Sequence, residues 1–532
     1  MSRQNTASGP APLQIETDVL IVGGGMAACW AGISAARTGA KVVLVDKGFV
    51  GTSGVTATAG PGHWWVSPEG NARSEAVKKR MVLGCGLGEP SWMERIIDTT
   101  WRVLPTLSSY YRFNIKDDGQ TAYNAVRGPE YLRALRHAAL DAGVTILDQS
   151  PVLELLLHDD GSVAGANGIR RQEHRAYTAR AGAVILATGG AGFLGGLLGS
   201  STNTGDGHLM ALEVGAELSG MEFSNEYSIS PRWSSTRTLI YSYARYFDAD
   251  GKELDVLPTN YVLERALVEG PVYALLNECP DGLRKALSQI QPMTLLPFVR
   301  KGITDVYEKP FEVKLFPEGT IRGTGGLRIV GERCETTIPG LFAAGDTATR
   351  ELIAGATTGG GSPNSAWALT SGLLSGEGAV ELARSRGRRL DAKVRARGTV
   401  GLRPRSNVKA VDRRSVLKAA QDEILPLDKN VFRSGPKLEK SLAVLESAWR
   451  ELRDHDHATG ADAVTARETA SVVATARLSY TAALARNESR GMHQREDVPE
   501  QKPDQGQRLL IGGLDEVWTR PEAAPQWRPT HV

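Results

Sequence analysis

The chain begins with a strand–helix–strand pattern. Residues 15–22 are a short apolar run that ends in glycines, residues 26–38 are small and apolar, and residues 41–46 place VVLV between charges. Short apolar runs bounded by turn residues are typical of buried strands, whereas the longer run suits a helix packed on a sheet. This order over about thirty residues predicts a βαβ unit.

Similar patterns of helices and strands occur in two later parts of the chain. Residues 70–145 have a mostly helical pattern, and residues 146–190 alternate as strands, with a turn at Asp160-Gly161. Residues 321–385 again combine strand, glycine and helix signals. Residues 236–320 carry more aromatics and prolines and no glycine-rich loop, so we expect them to form an inserted α+β cap.

The two ends of the chain differ from this middle part. Residues 1–14 are polar, and we expect them to be disordered. Residues 384–414 are basic with Gly and Pro breaks, which indicates a linker or a solvated face. Further on, apolar residues at spacings of four and three predict an amphipathic helix: Leu438, Leu442, Leu445, Trp449 and Leu452. We therefore expect residues 386–532 to form a helical domain.

Composition narrows the function. The 532 residues are 41% hydrophobic and 23% charged, with a net charge of +2, so nothing points to nucleic acid. The four cysteines are scattered, which predicts neither a disulfide framework nor a metal site. We find no signal peptide and no apolar run long enough to span a membrane, and we expect a cytoplasmic protein.

The glycines after the first strand carry the clearest chemistry. Residues 23–28 read GGGMAA and match G-x-G-x-x-A. Gly23 permits a tight turn, Gly25 lets the backbone approach a pyrophosphate, and Ala28 permits close packing of helix on strand. Asp46, at the end of the next strand, can accept hydrogen bonds from an adenosine ribose. The complete context predicts dinucleotide binding rather than a purely structural βαβ unit.

Two further strand ends indicate which dinucleotide is bound. Residues 184–190 read VILATGG, and residues 338–346 read IPGLFAAGD. With the first loop, these segments resemble motifs of FAD enzymes of the two-dinucleotide type, in which Asp346 would bind the ribityl chain. Only one full nucleotide fingerprint is present, so we expect no NAD(P)H domain.

Two more segments resemble one particular family. Residues 203–223 read NTGDGHLMALEVGAELSGMEF, and residues 486–499 read RNESRGMHQREDVP. Both are similar to motifs of the succinate dehydrogenase/fumarate reductase flavoprotein family, and the resemblance runs from about residue 15 to about residue 500. It implies an α/β fold with a Rossmann-like FAD-binding domain split between residues 15–235 and 321–385. The cap of residues 236–320 and the helical domain of residues 386–532 complete this organisation.

This chain departs from the family where flavin attachment and substrate are concerned. Gly54 stands where membrane-complex members attach flavin to a His, so we expect non-covalent FAD. Thr357 and Thr358 stand where dicarboxylate enzymes place a clamping Arg, and residues 224–228 replace their Q-F-H-P-T segment. Since threonine cannot replace a bidentate Arg, succinate, fumarate and aspartate are doubtful substrates. The most similar subgroup is the α subunit of adenylylsulfate reductase, which implies an iron–sulfur partner.

The resemblance and the glycine motifs together predict the FAD-binding residues. They are Gly23, Gly25, Met26, Ala27, Asp46, Lys47, Ser53, Gly54, Val55, Thr56, Ala187, Thr188, Gly189, Asn203, Asp206, Gly345, Asp346, Ser362 and Ser365. We predict no metal site.

Catalytic candidates are less well defined by the sequence. His63, beside two tryptophans, is either a proton donor or a packed loop histidine, and Glu226 and Tyr227 stand where family catalytic side chains stand. Three arginines are candidate anion clamps or ordinary surface residues: Arg232, Arg245 and Arg350. His493 has either a structural or a catalytic role. The pair His455 and His457 is expected in a solvated turn, because residues two apart on a helix point apart.

The predicted function is hydride or electron transfer between non-covalent FAD and a small polar substrate. Three alternatives stay open: an oxidase that returns electrons to O₂ and makes H₂O₂, a subunit that passes electrons to an iron–sulfur or ferredoxin partner, and a flavin-binding protein without turnover. A homo-oligomer is also compatible with the sequence.

Overall fold

The computed structural model describes residues 11–523, apart from 117, 237–239, 258–259, 291, 304, 388 and 390–391. The strands are β1 (Leu13–Val22), β2 (Val42–Val45), β3 (Asn114–Ile115), β4 (Thr121–Ala122), β5 (Thr145–Leu147), β6 (Val152–His158), β7 (Val163–Arg170), β8 (Arg175–Leu186), β9 (Leu218–Ser219), β10 (Glu226–Pro231), β11 (Arg245–Phe247), β12 (Glu253–Leu254), β13 (Val272–Leu275), β14 (Phe311–Gly319), β15 (Gly326–Leu327), β16 (Leu341–Ala343), β17 (Val394–Ala396), β18 (Leu509–Gly512) and β19 (Trp518–Pro521). The helices are α1 (Met26–Ala36), α2 (Ala72–Leu83), α3 (Pro90–Val103), α4 (Gly128–Asp141), α5 (Asp206–Glu213), α6 (Val262–Glu269), α7 (Asp281–Ile290), α8 (Pro292–Arg300), α9 (Glu351–Ala354), α10 (Gly361–Arg386), α11 (Arg413–Ile424), α12 (Leu427–Asn430), α13 (Gly435–His455) and α14 (Asp462–Ala485).

The main sheet has eight strands, in the order β17-β6-β7-β8-β1-β2-β5, with β16 beside β8. Strand β1 lies parallel to both β2 and β8, so the predicted βαβ unit and the α/β class are confirmed. Strand β1 starts at Leu13, inside the stretch expected to be disordered, and residues 1–10 lie outside the described residues. This sheet brings the carboxyl ends of β1, β2, β8 and β16 to one edge.

The first strand is apolar without interruption because both faces of the sheet are covered. Leu20 and Val22 pack in the core on one face, and Val19 and Ile21 pack in the core on the other. Successive side chains of a strand point to opposite faces, so a parallel strand buried on both sides needs a continuous apolar run.

The inserted region forms a sheet of its own. Strands β10-β14-β13-β11-β12 are antiparallel, and α6 to α8 accompany them around a separate apolar core. We call this sheet the cap sheet. Its first strand begins at Glu226, which precedes the predicted boundary at residue 236, and β14 ends at Gly319, where the chain returns to the main domain.

The region after residue 386 is helical but also contributes strands. Helices α11, α13 and α14 share a core, and a buried ion pair between Arg467 and Glu213 (Nη1–Oε1, 2.7 Å) ties α14 to α5. Strand β17 adds to the edge of the main sheet, antiparallel to β6. Residues 394–396 are therefore not a linker, and their partly exposed edge position agrees with the alternative of a solvated face. A three-residue strand held by backbone hydrogen bonds has no hydrophobic period to reveal it.

Two findings concern membrane-spanning helices and cysteine pairing. Over the part of the chain that the structure describes, no helix combines the length and the apolar character that crossing a bilayer requires. All four cysteines, at positions 29, 85, 279 and 334, are free thiols.

Candidate functional site

One elongated cavity lies at the carboxyl edge of the main sheet. It begins at the turn between β1 and α1, follows the ends of β2, β8 and β16, and reaches Glu318 and Arg322 beside the cap sheet. The empty space in and above it, open solvent included, is about 1650 Å³. The cavity thus connects the predicted dinucleotide loop with the inserted region.

The glycines of the first loop shape one end of this cavity. Gly23 has φ +116°, and a Cβ there would lie 2.2 Å from the carbonyl oxygen of Ala187, so only glycine fits this turn. Gly25 is the N-cap of α1, and a Cβ there would meet no atom within 4 Å. The open space therefore lies directly at the amino end of a helix, where free N–H groups and the helix dipole favour phosphate.

Asp46 lies at the end of β2 and lines the cavity. Its Oδ1 accepts hydrogen bonds from the Gly48 N–H (2.8 Å) and the Ser53 hydroxyl (2.9 Å). Burial raises the pKa of this carboxyl, so further hydrogen-bond donors would stabilise its charged form. A ribose diol supplies such donors.

Buried polar atoms without partners test whether a large polar ligand fits. Among the described residues, the Asn203 Oδ1 and both amide atoms of Asn364 are buried and lack hydrogen bonds, and both residues line the cavity. Buried polar groups are nearly always satisfied in native proteins, so these atoms indicate a ligand. The open cradle at Gly25, the carboxylate of Asp46 and these amides fit the polar groups of FAD.

The predicted FAD-binding residues converge on this cavity. All of them line it except Ser362, whose hydroxyl faces Gly62 instead. The structure also brings in Glu318, Arg322 and Asn364, which the sequence analysis missed. The run of glycines at 359–361 before α10 was the available signal for Asn364, because it marks a second helix that begins at the cavity.

Lys47 and Asp206 form a salt bridge within the cavity wall. The Lys47 Nζ lies 2.7 Å from Asp206 Oδ2 and 3.0 Å from Glu468 Oε1 on α14. These two carboxylates raise the pKa of Lys47 against the opposing effect of its burial. The positive charge of Lys47 is therefore already balanced by two neighbouring carboxylates.

The end of the cavity beside the cap sheet carries a cluster of charges. The fully buried Glu318 accepts hydrogen bonds from the Ser228 hydroxyl and from Arg322 Nη1 (3.2 Å). The Arg322 Nη2 lies 4.0 Å from Glu226 Oε1. Burial raises the pKa of Glu226 to about 7, with Arg322 opposing the rise and Glu318 adding to it. Glu226 does not itself line the cavity, whereas its neighbour Arg322 does. A carboxyl whose pKa lies near 7 can give or take a proton.

His63 lies in the core rather than along the cavity. Its ring is fully enclosed, Nε2 contacts the Tyr131 hydroxyl at 3.3 Å, and burial lowers its pKa to about 3. Because the enclosed ring does not line the cavity, it is not placed to pass a proton to a ligand there. The structure therefore favours the packed loop histidine among the two interpretations of this residue.

Three further candidates point away from the cavity. The Tyr227 hydroxyl donates to the carbonyl of Leu425 at 2.8 Å, which ties the cap sheet to the C-terminal helices. The two exposed arginines pair with glutamates on the cap surface: Arg232 with Glu312 (3.3 Å) and Arg245 with Glu253 (2.7 Å). None of the three lines the cavity.

Arg350 is fully buried, and its guanidinium donates hydrogen bonds to other residues of the protein. It donates to Asp346 Oδ1 (2.6 Å) and to the carbonyl oxygens of Thr320, Ile321 and Gly323. It therefore holds the segment that carries Arg322 against Asp346 and is not placed to clamp a substrate.

The other histidines singled out in the sequence also contact protein groups. The buried His493 accepts at Nδ1 from Arg433 (2.8 Å) and donates from Nε2 to the Arg486 carbonyl (3.0 Å). His455 and His457 contact the carbonyl oxygens of Asn407 and Leu402. Among the described residues, no group of three or more His, Cys, Asp or Glu side chains could hold a metal ion.

Fold and cavity define a class of FAD-binding proteins, and family models identify the family. A model for the FAD binding domain matches residues 18–107 and 99–363, and one for the fumarate reductase flavoprotein C-terminal part matches residues 421–523. The chain therefore belongs to the succinate dehydrogenase/fumarate reductase flavoprotein family. It is an FAD-dependent oxidoreductase.

Curated relatives match nearly the whole chain. A fumarate reductase (CoM/CoB) subunit of Methanothermobacter marburgensis is 26% identical over 93% of this chain and 97% of its own length. L-aspartate oxidase of Streptomyces coelicolor is also 26% identical, over 92% of this chain and 90% of its own length.

Solved structures show the same fold. Quinol fumarate reductase FrdA of E. coli has a TM-score of 0.79 at 21% identity, covering 98% of this chain and 99% of its own. Adenylylsulfate reductase of Archaeoglobus fulgidus has a TM-score of 0.75 at 20% identity, covering 97% and 98%. Since the scores are similar, the fold gives no preference for the adenylylsulfate reductase subgroup.

Proposed function

We propose that this enzyme transfers a hydride or electrons between non-covalently bound FAD and a small polar substrate at the end of the cavity beside the cap sheet. The observation that carries the proposal is the continuity of one cavity from the Gly25 cradle to Glu318 and Arg322. A cofactor that extends from the first loop and a substrate near the cap would then share one continuous cavity.

Some of these residues bind the cofactor or the substrate, and one holds or releases a proton. Bound FAD supplies the two-electron redox chemistry. The amino end of α1 binds its phosphates, and Asp46 and Asn203 accept or donate hydrogen bonds along its length. Arg322 orients the substrate, and Glu226, which neighbours Arg322 but does not line the cavity, holds or releases a proton at its carboxyl group. Gly54 offers no side chain for covalent attachment.

The acceptor of the electrons is proposed to be a partner protein, with O₂ as a second candidate. One relative carries the name of a subunit, which supports an iron–sulfur or ferredoxin-type partner. Other relatives are named L-aspartate oxidase, which supports O₂ as acceptor. The four free thiols support a cytoplasmic location.

Anaerobic reduction of the flavin against a panel of metabolites tests the proposal. A substrate should bleach the flavin, and Arg322→Met should lower kcat/KM for it by at least about a hundredfold while the bound flavin is retained. Arg232→Met is the matched control, because Arg232 lies on the cap surface. A flavin that chemical reductants bleach but no metabolite does would contradict the proposal.

The route of the electrons is tested with the same reduced enzyme. Rapid H₂O₂ formation on mixing with air favours the oxidase, whereas an air-stable reduced flavin that is reoxidised by a ferredoxin favours the partner protein.

A further inference from the structure

We infer that the substrate end of the cavity selects uncharged or cationic polar molecules against dicarboxylates, because the one arginine among its described lining residues is already paired with the buried Glu318. This inference rests on the proposed function, since it assumes that the substrate binds beside Arg322. It sets the enzyme apart from relatives whose names contain fumarate or aspartate, both of which are dicarboxylates.

The charges along the cavity provide the first argument. Among the described residues that line it, only Lys47 and Arg322 are basic, whereas four are acidic: Asp46, Asp206, Glu318 and Asp346. Lys47 is engaged by Asp206 and by Glu468 of α14. Asp346 pairs with Arg350, which is fully buried behind the cavity wall. Arg322 is therefore the basic side chain that a substrate anion would have to use.

Arg322 lies between two carboxyl groups. Its Nη1 donates to Glu318, and its Nη2 lies 4.0 Å from Glu226. A carboxylate ligand would have to compete with the fully buried Glu318 for the same guanidinium. Breaking this pair would leave the charge of the buried Glu318 uncompensated, so the exchange is unfavourable.

The surroundings of this pair add negative charge rather than remove it. Glu264 of α6 lies close enough to raise the pKa of Glu226. Tyr261, next to α6, donates its hydroxyl to the Gly491 carbonyl at 3.0 Å. Arg433 is the second guanidinium nearby, and it donates to the Glu222 carbonyl, Asn430 Oδ1 and His493 Nδ1.

The loop after α9 supplies no replacement cation. Thr357 and Thr358 are neutral, and the buried Arg80 donates to the carbonyl oxygens of Ala354 (2.9 Å) and Thr358 (2.7 Å) from behind the loop. Arg80 does not line the cavity. Carboxyl groups with one shared guanidinium are instead suited to accept hydrogen bonds from hydroxyl, amide or ammonium groups.

A matched series of four-carbon probes tests the inference on the FAD-loaded enzyme. The probes are succinate (dianion), succinamide (uncharged) and 1,4-diaminobutane (dication). Binding is measured by titration calorimetry and by the shift of the flavin absorbance, so no turnover is required. We expect succinamide or 1,4-diaminobutane to bind at least tenfold more tightly than succinate.

Variants of the acidic groups should reverse this preference. Glu318→Gln frees Arg322 and should tighten succinate binding by about tenfold while weakening 1,4-diaminobutane binding by a similar factor. Glu226→Gln should act in the same direction and serves as a second variant if the first does not fold. Glu312→Gln, on the same strand as Glu318 but paired with the exposed Arg232, should change neither constant.

The outcomes separate this inference from the proposed function. Wild-type enzyme that prefers succinate, or variants that leave the preference unchanged, would overturn the inference. So would the absence of binding by all three probes to both wild type and Glu318→Gln. In each case the proposed function stands if some metabolite reduces the flavin anaerobically, and it fails independently if none does.

Discussion

Replacing Gly25 with valine should separate the folding of this protein from its binding of FAD. A Cβ at Gly25 would meet no protein atom within 4 Å, so the side chain enters open space without a clash. That space lies at the amino end of α1, where we place the pyrophosphate. The valine methyl groups would occupy the position of the phosphate oxygens.

The size of the effect follows from the hydrogen bonds that would be lost. A hydrogen bond to a charged group contributes about 1.5–3 kcal/mol, and losing two of them costs about 3–6 kcal/mol. At about 1.4 kcal/mol per factor of ten, FAD binding should weaken by roughly two to four orders of magnitude. Replacing a favourable N-cap residue by an unfavourable one costs about 1 kcal/mol and at most about 2 kcal/mol of stability, so the fold should persist.

Flavin content and folding must be measured on the same sample. We expect Gly25→Val to purify with little absorbance at the flavin bands, while circular dichroism and urea denaturation resemble those of wild-type apoprotein. Gly282→Val is the matched control, because a Cβ there also meets nothing within 4 Å but Gly282 lies in the cap helix α7. A Gly25→Val protein that binds FAD as tightly as wild type would refute the placement of the pyrophosphate.

Two further predictions concern stability. Arg467→Met leaves the buried Glu213 without its cationic partner, although Thr399 still donates to it, so the free energy of unfolding in urea should fall by about 3–5 kcal/mol. The exposed Arg232→Met should lower it by less than about 1 kcal/mol. Equal losses would show that the C-terminal helices do not depend on this ion pair. Burial raises the pKa of Glu226 from 4.5 to about 7, which favours its protonated form in the folded state. That stabilisation is full below about pH 4.5 and is lost as the pH rises through 7, so wild type should lose up to about 3 kcal/mol relative to Glu226→Gln over this range. A stability difference that does not change with pH would contradict the assigned environment of Glu226.

The parts of the fold that the sequence predicts are local ones. The β1–α1–β2 unit is readable because its apolar runs, its glycines and Asp46 lie within about thirty residues. The short strand β17 is not readable, because backbone pairing with β6 at the sheet edge decides it and its side chains carry no period.

The candidate site shows the same division. Residues next to a strand end, such as Gly23 and Asp46, could be named from the sequence because the sheet brings strand ends to one edge. The sequence could not show which arginines line the cavity and which are buried in the protein. Arg350 turns inward because the carbonyl oxygens of the segment after β14 lie opposite it, and Arg322 reaches the cavity from that same segment. Such a placement depends on contacts between residues far apart in sequence, which no local motif reports.

Release of flavin by acid tests whether this enzyme binds FAD and whether it does so without a covalent bond. Purified enzyme should be yellow, and acid precipitation should move all of the colour into the supernatant as FAD, because Gly54 offers no attachment point. A protein that is colourless and stays so after soaking in FAD would contradict FAD binding itself. Colour that remains with the precipitate would contradict non-covalent attachment.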